Sequence, residues 1–222
     1  MRALTLSLSE VSLALYVQKQ INVFFPDDNV IDSSGIKDYI TIALERLREC
    51  FETILLGYYI KDNKSYFNHM HGDHYSMFLY LLSNTAYLNE NLGLASKIFL
   101  LNKMLFGIDV FYEIALPKHF LFVHPLGTVL GRAVYGDYFI TYQGVTVGAT
   151  TEGRYPTFSK GTILYSGASI IGHCKTGQNF VLAAKASLLN TDVDDNKVVL
   201  GAFPQHKIIE NKKDLIGKYF KI

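Results

Sequence analysis

The amino-acid sequence predicts an α+β protein, with a helical domain over residues 1–107, a parallel β-helix of hexapeptide repeats over 108–209 and a tail over 210–222. Three observations support this division. Apolar residues recur every three to four positions in the first hundred residues, as on one face of an α-helix. After Pro117 a period of six replaces that spacing, and glycines and β-branched residues become frequent. The two halves are therefore expected to form different architectures.

The helical half is predicted to contain a long helix that follows the turn-forming segments 26–29 and 33–35. Two further apolar segments, 75–87 and 92–106, predict two more helices, and the polar stretch 61–73 predicts a loop before them. The first twenty residues superficially resemble a signal peptide. Glu10 and Lys19 interrupt the apolar run, however, and no small-residue cleavage site follows, so an ordinary helix is expected. The apolar positions of the long helix are Ile40, Ala43, Leu44, Leu47, Phe51, Ile54 and Leu55.

The period of six runs in two registers, separated by residues 149–156. Each hexad is expected to form a short strand and a turn, and three hexads close one triangular coil with aliphatic side chains inside. A β-sandwich is the alternative, but its strands alternate with period two, which fits this spacing less well. Segment 149–156 carries no repeat and is expected to protrude and hold specificity residues. The repeat positions are Val123, Val129, Tyr135, Thr141 and Val147, then Leu164, Ile170, Thr176, Leu182 and Leu188.

Composition excludes several classes of function. The formal net charge is +1 and no basic cluster is interleaved with aromatic residues, which argues against a nucleic-acid partner. Two cysteines, Cys50 and Cys174, form no disulfide framework and suit a reducing compartment. The sequence has no uninterrupted apolar run of roughly 18 residues, the length that a membrane-spanning helix needs. A cytoplasmic protein without a membrane span is therefore expected.

An ordered set of motifs resembles the active-site coils of serine acetyltransferases, which are hexapeptide-repeat O-acetyltransferases. The resemblance covers roughly residues 105–210 and is faint in the helical half. It implies a left-handed β-helix behind a helical domain, acetyl-CoA as co-substrate, a small-molecule acceptor with a free hydroxyl, and a homo-oligomer, expected to be a trimer. The motifs are HPLGTVLG at 124–131, GD at 136–137, YQGVTVG at 142–148, GRYP at 153–156, YSGASIIG at 165–172, VLGAFP at 199–204 and II at 208–209.

Acetyl transfer to an alcohol needs a base, because a hydroxyl is a poor nucleophile until its proton is removed. His124 matches the catalytic histidine of the family, and imidazole titrates near neutral pH. A carboxylate that holds the other ring nitrogen improves such a base. Asp109 precedes His124 by fifteen residues, nearly one coil, and matches the orienting aspartate of the family; Glu113 is the fallback and Asp137 is expected to be a turn residue.

The resemblance implies that the extended CoA arm lies along the β-helix and is held mainly by backbone groups of small residues. Side chains leave little trace of such binding, and Lys185 is expected to be a solvated surface lysine. The matching positions are Gly148, Ser166, Gly167, Ala168, Ala183 and Ala184.

The acceptor is the part of the resemblance in which this sequence departs from the family. Arg154 matches the arginine that holds the carboxylate of serine. In the family, two acidic residues hold the ammonium of serine. Val123 stands in place of one of them, and His69 aligns loosely with the other. Tyr155 stands in place of a histidine that lies beside the arginine in the family. A cation needs negative charge nearby, and these residues supply none. Asp73 remains available to bind the acceptor. A sugar or surface-polysaccharide precursor is therefore expected as acceptor, with serine, in cysteine biosynthesis, as the alternative.

Two other classes of function compete with acetyl transfer. Residues 69–74 spell HMHGDH, which matches the HxHxDH motif of hydrolases that bind two zinc ions. That motif should follow a strand in an αββα sandwich, whereas here helices are predicted on both sides. No metal is therefore expected. The other alternative is a non-catalytic β-helix module for assembly.

Overall fold

The computed structural model describes residues 4–222 and has the two architectures that the sequence predicts, four helices followed by a parallel β-helix. The helices are α1 Glu10–Phe24, α2 Ser33–Phe51, α3 Gly72–Leu88 and α4 Leu92–Phe106, with short 3₁₀ helices Gly57–Tyr59 and Ile216–Lys218. The strands are β1 Thr5–Leu6, β2 Ile60–Lys61, β3 Lys64–Phe67, β4 Phe120–Val123, β5 Val129–Leu130, β6 Phe139–Tyr142, β7 Thr146–Gly148, β8 Thr157–Phe158, β9 Thr162–Leu164, β10 Ser169–Ile171, β11 Lys175–Thr176, β12 Phe180–Leu182, β13 Ser187–Leu189, β14 Lys197–Leu200 and β15 Lys207–Glu210.

Helix α3 is the centre of the helical half. Every residue from Asp73 to Ala86 is buried, because α2 and α4 pack against it and strand β4 lies beside it. A helix that is buried all round loses the amphipathic spacing of a surface helix. Its polar residues bond to carbonyl groups instead; Asn84, for example, donates to the carbonyl of Tyr112 at 2.7 Å. Helix α3 thereby reaches from the helical core to the first coil of the β-helix.

A small three-stranded sheet, in the order β1–β3–β2, lies within the helical half and was not predicted. Strand β3 falls in the polar stretch 61–73, which the sequence predicts as a loop. The alternation of buried Ser65 and Phe67 with more exposed neighbours is only four residues long. So short a period-two pattern cannot be distinguished from a loop without its partner strands.

The β-helix stacks its strands in three parallel columns, β4–β6–β9–β12–β14, β5–β7–β10–β13 and β8–β11, and β15 closes the first column antiparallel to β14. Leu130, Val147, Ile170 and Leu188 form one interior row, and all are buried. Such rows of stacked aliphatic side chains fill the prism, since each coil contributes one residue per face.

The predicted repeat register is wrong in the first coil. Val129 is 40% exposed, and its neighbour Leu130 points inward in its place. In register, Phe122 pairs with Thr141, and Leu130 pairs with Val147. Phe122 and Leu130, the interior residues of the first coil, are therefore eight positions apart. Thr141 and Val147, their partners in the next coil, are six positions apart. The two extra residues lie in the turn that begins at His124.

The C-terminal segment folds back over both halves of the molecule. The amide of Leu55 donates to the carbonyl of Tyr219 at 2.8 Å, and the amide of Lys221 donates to that of Thr53 at 2.7 Å. Phe220 is buried and forms an antiparallel bridge with Ile54. The tail thus ties the segment after α2 to the outer face of the β-helix. Among residues 4–222, no helix has the length and apolar character required to cross a bilayer.

Candidate active site

The turn after strand β4 presents His124 to solvent. All four residues of the strand are buried, yet the side chain of His124 is 76% exposed. Its backbone has φ +49°, in the left-handed region that few non-glycine residues adopt. Such strain tends to occur where the surroundings hold a functional residue in place. The turn therefore projects an imidazole from a rigid strand end.

Asp73, in the first turn of α3, holds this turn from below. Its Oδ1 accepts a hydrogen bond from the amide of His124 at 3.0 Å and lies 3.9 Å from the imidazole Nδ1. Asp73 is only 4% exposed, and its Oδ2 has no hydrogen-bond partner within the described chain. Burial raises the pKa of this carboxyl group, and the His124 amide partly offsets that effect. The structure therefore brings Asp73 and His124 together, although the sequence suggested Asp73 only as an acceptor ligand.

Asp109 is engaged elsewhere. Its carboxylate lies 2.6 Å from Nζ of Lys103, and its backbone pairs with the coil that contains Val129. Glu113, the fallback, belongs to the exposed segment before Pro117. No described contact joins Asp109 to His124 within residues 4–222. Its orienting role stays a prediction.

A second aspartate–histidine pair lies at the other end of β4. The amide of His119 donates to Oδ1 of Asp137 at 2.9 Å, and its Nδ1 lies 2.8 Å from Oδ2. The His119 ring stacks on Tyr138 with centroids 4.9 Å apart, and its side chain is only 14% exposed. Both carboxylate oxygens are used, which fits the predicted turn role of Asp137.

The segment 149–156 forms an exposed loop that carries Arg154 and Tyr155. Within this loop Nε of Arg154 lies 3.9 Å from a carboxylate oxygen of Glu152, and the Arg154 carbonyl accepts from the amide of Thr150. Neither Arg154 nor Tyr155 contacts His124 in the described part of the chain. Their acceptor-binding roles stay predictions.

The three histidines of the HMHGDH segment are used for packing. His69 bonds through Nδ1 to the hydroxyl of Ser7 at 2.8 Å, away from His124. His71 and His74 stack on each other with ring centroids 4.2 Å apart. His74 is fully buried, accepts from the Asn68 amide, and burial lowers its pKa to about 3. Among the described residues no group of three or more His, Cys, Asp or Glu side chains could hold a metal ion.

The small residues that match the CoA-binding positions lie along one corner of the β-helix. Ser166 and Gly167 are the central residues of the turn in one coil, and Ala184 and Lys185 take the same places in the next coil, directly after Ala183. Gly167 has φ +68°, and its amide donates to the carbonyl of Gln143 in the coil below. Gly148 and Ala168 differ from these turn residues. Gly148 ends β7, and Ala168 is fully buried, so the methyl group of Ala168 faces the interior and cannot contact a ligand.

A cluster of tyrosines beside the turn was missed by the sequence reasoning. Tyr142 pairs in register with Val123, and its ring centroid is 5.1 Å from that of Tyr165 on the next coil. The hydroxyl of Tyr219, from the tail, lies 2.6 Å from that of Tyr142. Burial raises the pKa of both Tyr165 and Tyr219 to about 12. No sequence signal linked these tyrosines, because the inserted segment 149–156 separates Tyr142 from Tyr165 and the tail is distant from both.

No protein-family model matches the chain. Serine acetyltransferase of Synechococcus elongatus is 31% identical over 105 residues, which are 46% of this chain and 43% of that protein. Serine acetyltransferase of Staphylococcus epidermidis is 27% identical over 150 residues, 66% of this chain and 69% of that protein. The chain spans about two fifths of the length of the first curated relatives that it matches.

The fold extends the likeness over nearly the whole chain. The crystal structure of Neisseria gonorrhoeae serine acetyltransferase in complex with serine superposes with a TM-score of 0.69 at 22% identity, covering 91% of this chain and 84% of that one. The predicted fold class, a helical domain followed by a left-handed β-helix, is thereby confirmed. In part of its sequence and in its overall fold, the chain is similar to the serine acetyltransferases, the family that its motifs resemble.

Proposed function

We propose that the protein is an acetyl-CoA-dependent O-acetyltransferase in which His124 is the general base. The observation that carries the proposal is the exposed imidazole at a strained turn, fixed to the first coil of a rigid β-helix. A base held in a turn at the end of a buried strand keeps its geometry better than one on a mobile loop, and positioning supplies much of the rate in such reactions. The relatives are acetyltransferases, which supports the same reaction.

The reaction balances with one imidazole. His124 takes the proton of the acceptor hydroxyl as the hydroxyl oxygen attacks the thioester carbonyl carbon. A carbon–oxygen bond forms, the carbon–sulfur bond then breaks, and the departing CoA sulfur receives the proton from the imidazolium. The products are the acetyl ester and free CoA. The turn residues Ser166, Gly167, Ala183 and Ala184, with Gly148 at the end of β7, are the positions that would lie along the donor.

Serine is the acceptor that the comparisons support, better than the sugar that the sequence favours. The relatives and the solved neighbour are serine acetyltransferases. In this proposal Arg154 would bind the carboxylate of serine, as its counterpart does in the family. The ammonium lacks its usual partner, because Val123 is apolar and 6% exposed.

A sugar is the second candidate, and the tyrosine cluster favours it. Tyr142, Tyr165 and Tyr219 are phenols, which are neutral at physiological pH, and burial raises their pKa further. Neutral phenols hydrogen-bond to sugar hydroxyls and offer ring faces, but they cannot balance the charge of an ammonium. The cluster lies beside Val123, where the ammonium of serine would otherwise be held.

A homotrimer with its sites between neighbouring prisms is part of the proposal. Apolar side chains of the first coil are open to solvent in the single chain: Leu126, in the His124 turn, is 71% exposed, and Val134, which pairs with Thr157, is 52% exposed. Threefold packing would cover such residues. It would also bring a neighbour's 149–156 loop, with Arg154 and Tyr155, toward the exposed imidazole.

Thiol release from acetyl-CoA tests the reaction and its acceptor together. The purified protein is assayed with serine and, separately, with a panel of sugars and nucleotide sugars, and kcat/KM is compared. Saturable release with serine alone assigns serine, and release with a sugar alone assigns the second candidate. No release with any acceptor, together with slow hydrolysis equal to that of His124→Asn, would refute the proposed function.

A further inference from the structure

The contact between Asp73 and His124 joins the two halves of the molecule. Asp73 belongs to the helical half, and His124 to the first coil of the β-helix. The hydrogen bond from the His124 amide is 3.0 Å long and spans 51 positions of sequence. A bond across that boundary forms only when α3 docks on the end of strand β4.

The turn at His124 needs a support from outside the coil. It contains two residues more than the corresponding turn of the next coil, and His124 itself is left-handed with φ +49°. Inside the turn the amide of Leu126 donates to the carbonyl of His124 at 2.7 Å. The amide of His124 points the other way and finds its acceptor in Asp73. Removing that acceptor leaves a strained turn free to relax.

Stability alone does not explain the carboxylate. Oδ2 of Asp73 is buried without a partner, and a buried charged oxygen in that state costs free energy. The N-terminal end of α3 offsets part of the cost, because helix N-termini favour negative charge. An asparagine would make the same bond through Oδ1 at a lower desolvation cost. A residue that is retained at such cost is a candidate for function.

The groups that face Asp73 come from three elements. His71 precedes it at the start of α3, and His124 lies on the β-helix. Tyr58 and Tyr59 approach from the 3₁₀ turn before β2, and Asp73 contributes to raising the pKa of both, after burial. No lysine or arginine is among them, and Asp73 is the one carboxylic acid in this set. Its field acts on the nearby imidazole of His124.

We infer that Asp73 is a positioning residue for His124: its buried carboxylate fixes the strained turn and faces Nδ1 of the imidazole that acts as base. This inference rests on the proposed function. It differs from the role that the resemblance gives to Asp109, whose carboxylate pairs with Lys103. Asp73 touches no reacting atom and acts through His124.

The variant Asp73→Asn separates charge from shape. Because Asn keeps the Oδ1 acceptor but loses the charge, kcat should fall roughly 10–100-fold, KM should change less than threefold and Tm should not fall. The matched control is Asp137→Asn, which removes the same charge from the pair with His119; it should lower Tm and leave kcat unchanged. A wild-type kcat in Asp73→Asn, or a loss of kcat that merely follows a loss of Tm, would overturn the inference.

A double variant and an activity-free measurement complete the test. In a His124→Asn background, Asp73→Asn should have no further effect on kcat, because its partner is gone; an undiminished further loss contradicts the inference. Separately, Asp73→Ala should speed amide hydrogen exchange at residue 124, whereas Asp73→Asn should retain protection. Unchanged exchange in Asp73→Ala refutes the positioning role even if the protein proves to have another activity, and loss of the proposed function would appear instead as wild-type turnover in His124→Asn.

Discussion

Strand β4 has an aspartate–histidine pair at each end, and the two pairs differ in which partner is buried. At the start of the strand, His119 is sheltered and stacked on Tyr138, and both oxygens of Asp137 are bonded. At the end of the strand, the imidazole of His124 is open to solvent, and the carboxylate of Asp73 is the buried, half-bonded group. The pair at the start of β4 thus has its carboxylate hydrogen bonds satisfied, whereas the pair at the end of β4 has an exposed imidazole and a buried carboxylate oxygen without a partner.

The difference indicates that the His119–Asp137 pair stabilises the fold, whereas the Asp73–His124 pair belongs to the candidate active site. A corner that stabilises the fold saturates its hydrogen bonds, because each unsatisfied buried group costs free energy. A site that performs a reaction leaves a ring exposed for substrate and keeps its support underneath. The predictions below change these two pairs and the residues next to the Asp73–His124 pair, from the largest expected effect to the smallest.

The first prediction removes the exposed imidazole. His124→Asn should lower turnover by roughly 10²–10⁴-fold, because the hydroxyl proton then has no base to accept it. Asparagine tolerates the left-handed backbone, so the fold should persist. Turnover by thiol release and Tm by thermal unfolding check the two statements. His119→Asn serves as control and should keep its turnover; equal turnover in both variants would remove His124 from the site.

The second prediction uses His74, a buried histidine without a carboxylate. Its pKa is lowered to about 3 in the fold by burial, from an ordinary 6.5, so the folded state favours the neutral ring. The free energy of unfolding is therefore highest, as far as His74 is concerned, above pH 6.5. It falls by on the order of a few kcal/mol as pH decreases toward 3, because the unfolded state then binds a proton that the folded state does not. Urea unfolding between pH 7 and pH 3.5 measures it. His74→Asn should show a shallower decline, whereas parallel curves would contradict the assignment.

The third prediction adds a carboxylate beside His124 from its own strand. Val123→Asp should raise kcat/KM for serine about tenfold, because an ion pair with the ammonium worth 1.4 kcal/mol gives that factor. Burying a charge there should also lower Tm. Val123→Asn is the uncharged control. An equal gain in both variants, or no gain in the aspartate variant, would argue against an ammonium near this position.

The smallest effect is expected at the pair of Asp137 and His119. Asp137→Asn should reduce the free energy of unfolding by about 1 kcal/mol, because it weakens the bonds to His119 at a partly exposed site. Urea denaturation measures the change. A loss of turnover without a loss of stability would show that the pairs at the two ends of β4 are not as different as their burial indicates.

The sequence predicted the features that repeat locally. The six-residue period predicted the β-helix, and the motif around His124 singled out that histidine. The register of the first coil was not, because two extra residues in the turn shift Val129 outward without breaking the apolar pattern. The six-residue repeat of apolar positions does not show where such residues are inserted.

The rest of the candidate site depends on contacts between distant segments. Asp73 meets His124 across 51 positions, and Tyr219 meets Tyr142 across 77. No spacing rule links such residues, since their meeting depends on how α3 and the tail dock. Asp109 shows the reverse: its spacing from His124 suggested a partner, but Lys103, in the last turn of α4, is closer to its carboxylate.

The contacts of the tail with the helical half can form only late in the synthesis of the chain. Leu55 leaves the ribosome long before Tyr219, whose carbonyl is the acceptor for the Leu55 amide. At roughly 5–20 residues per second, the delay is on the order of ten to thirty seconds. During that time Ile54 lacks Phe220, which covers it in the finished molecule. Ile54 therefore stays without its partner Phe220 until the tail has been synthesised.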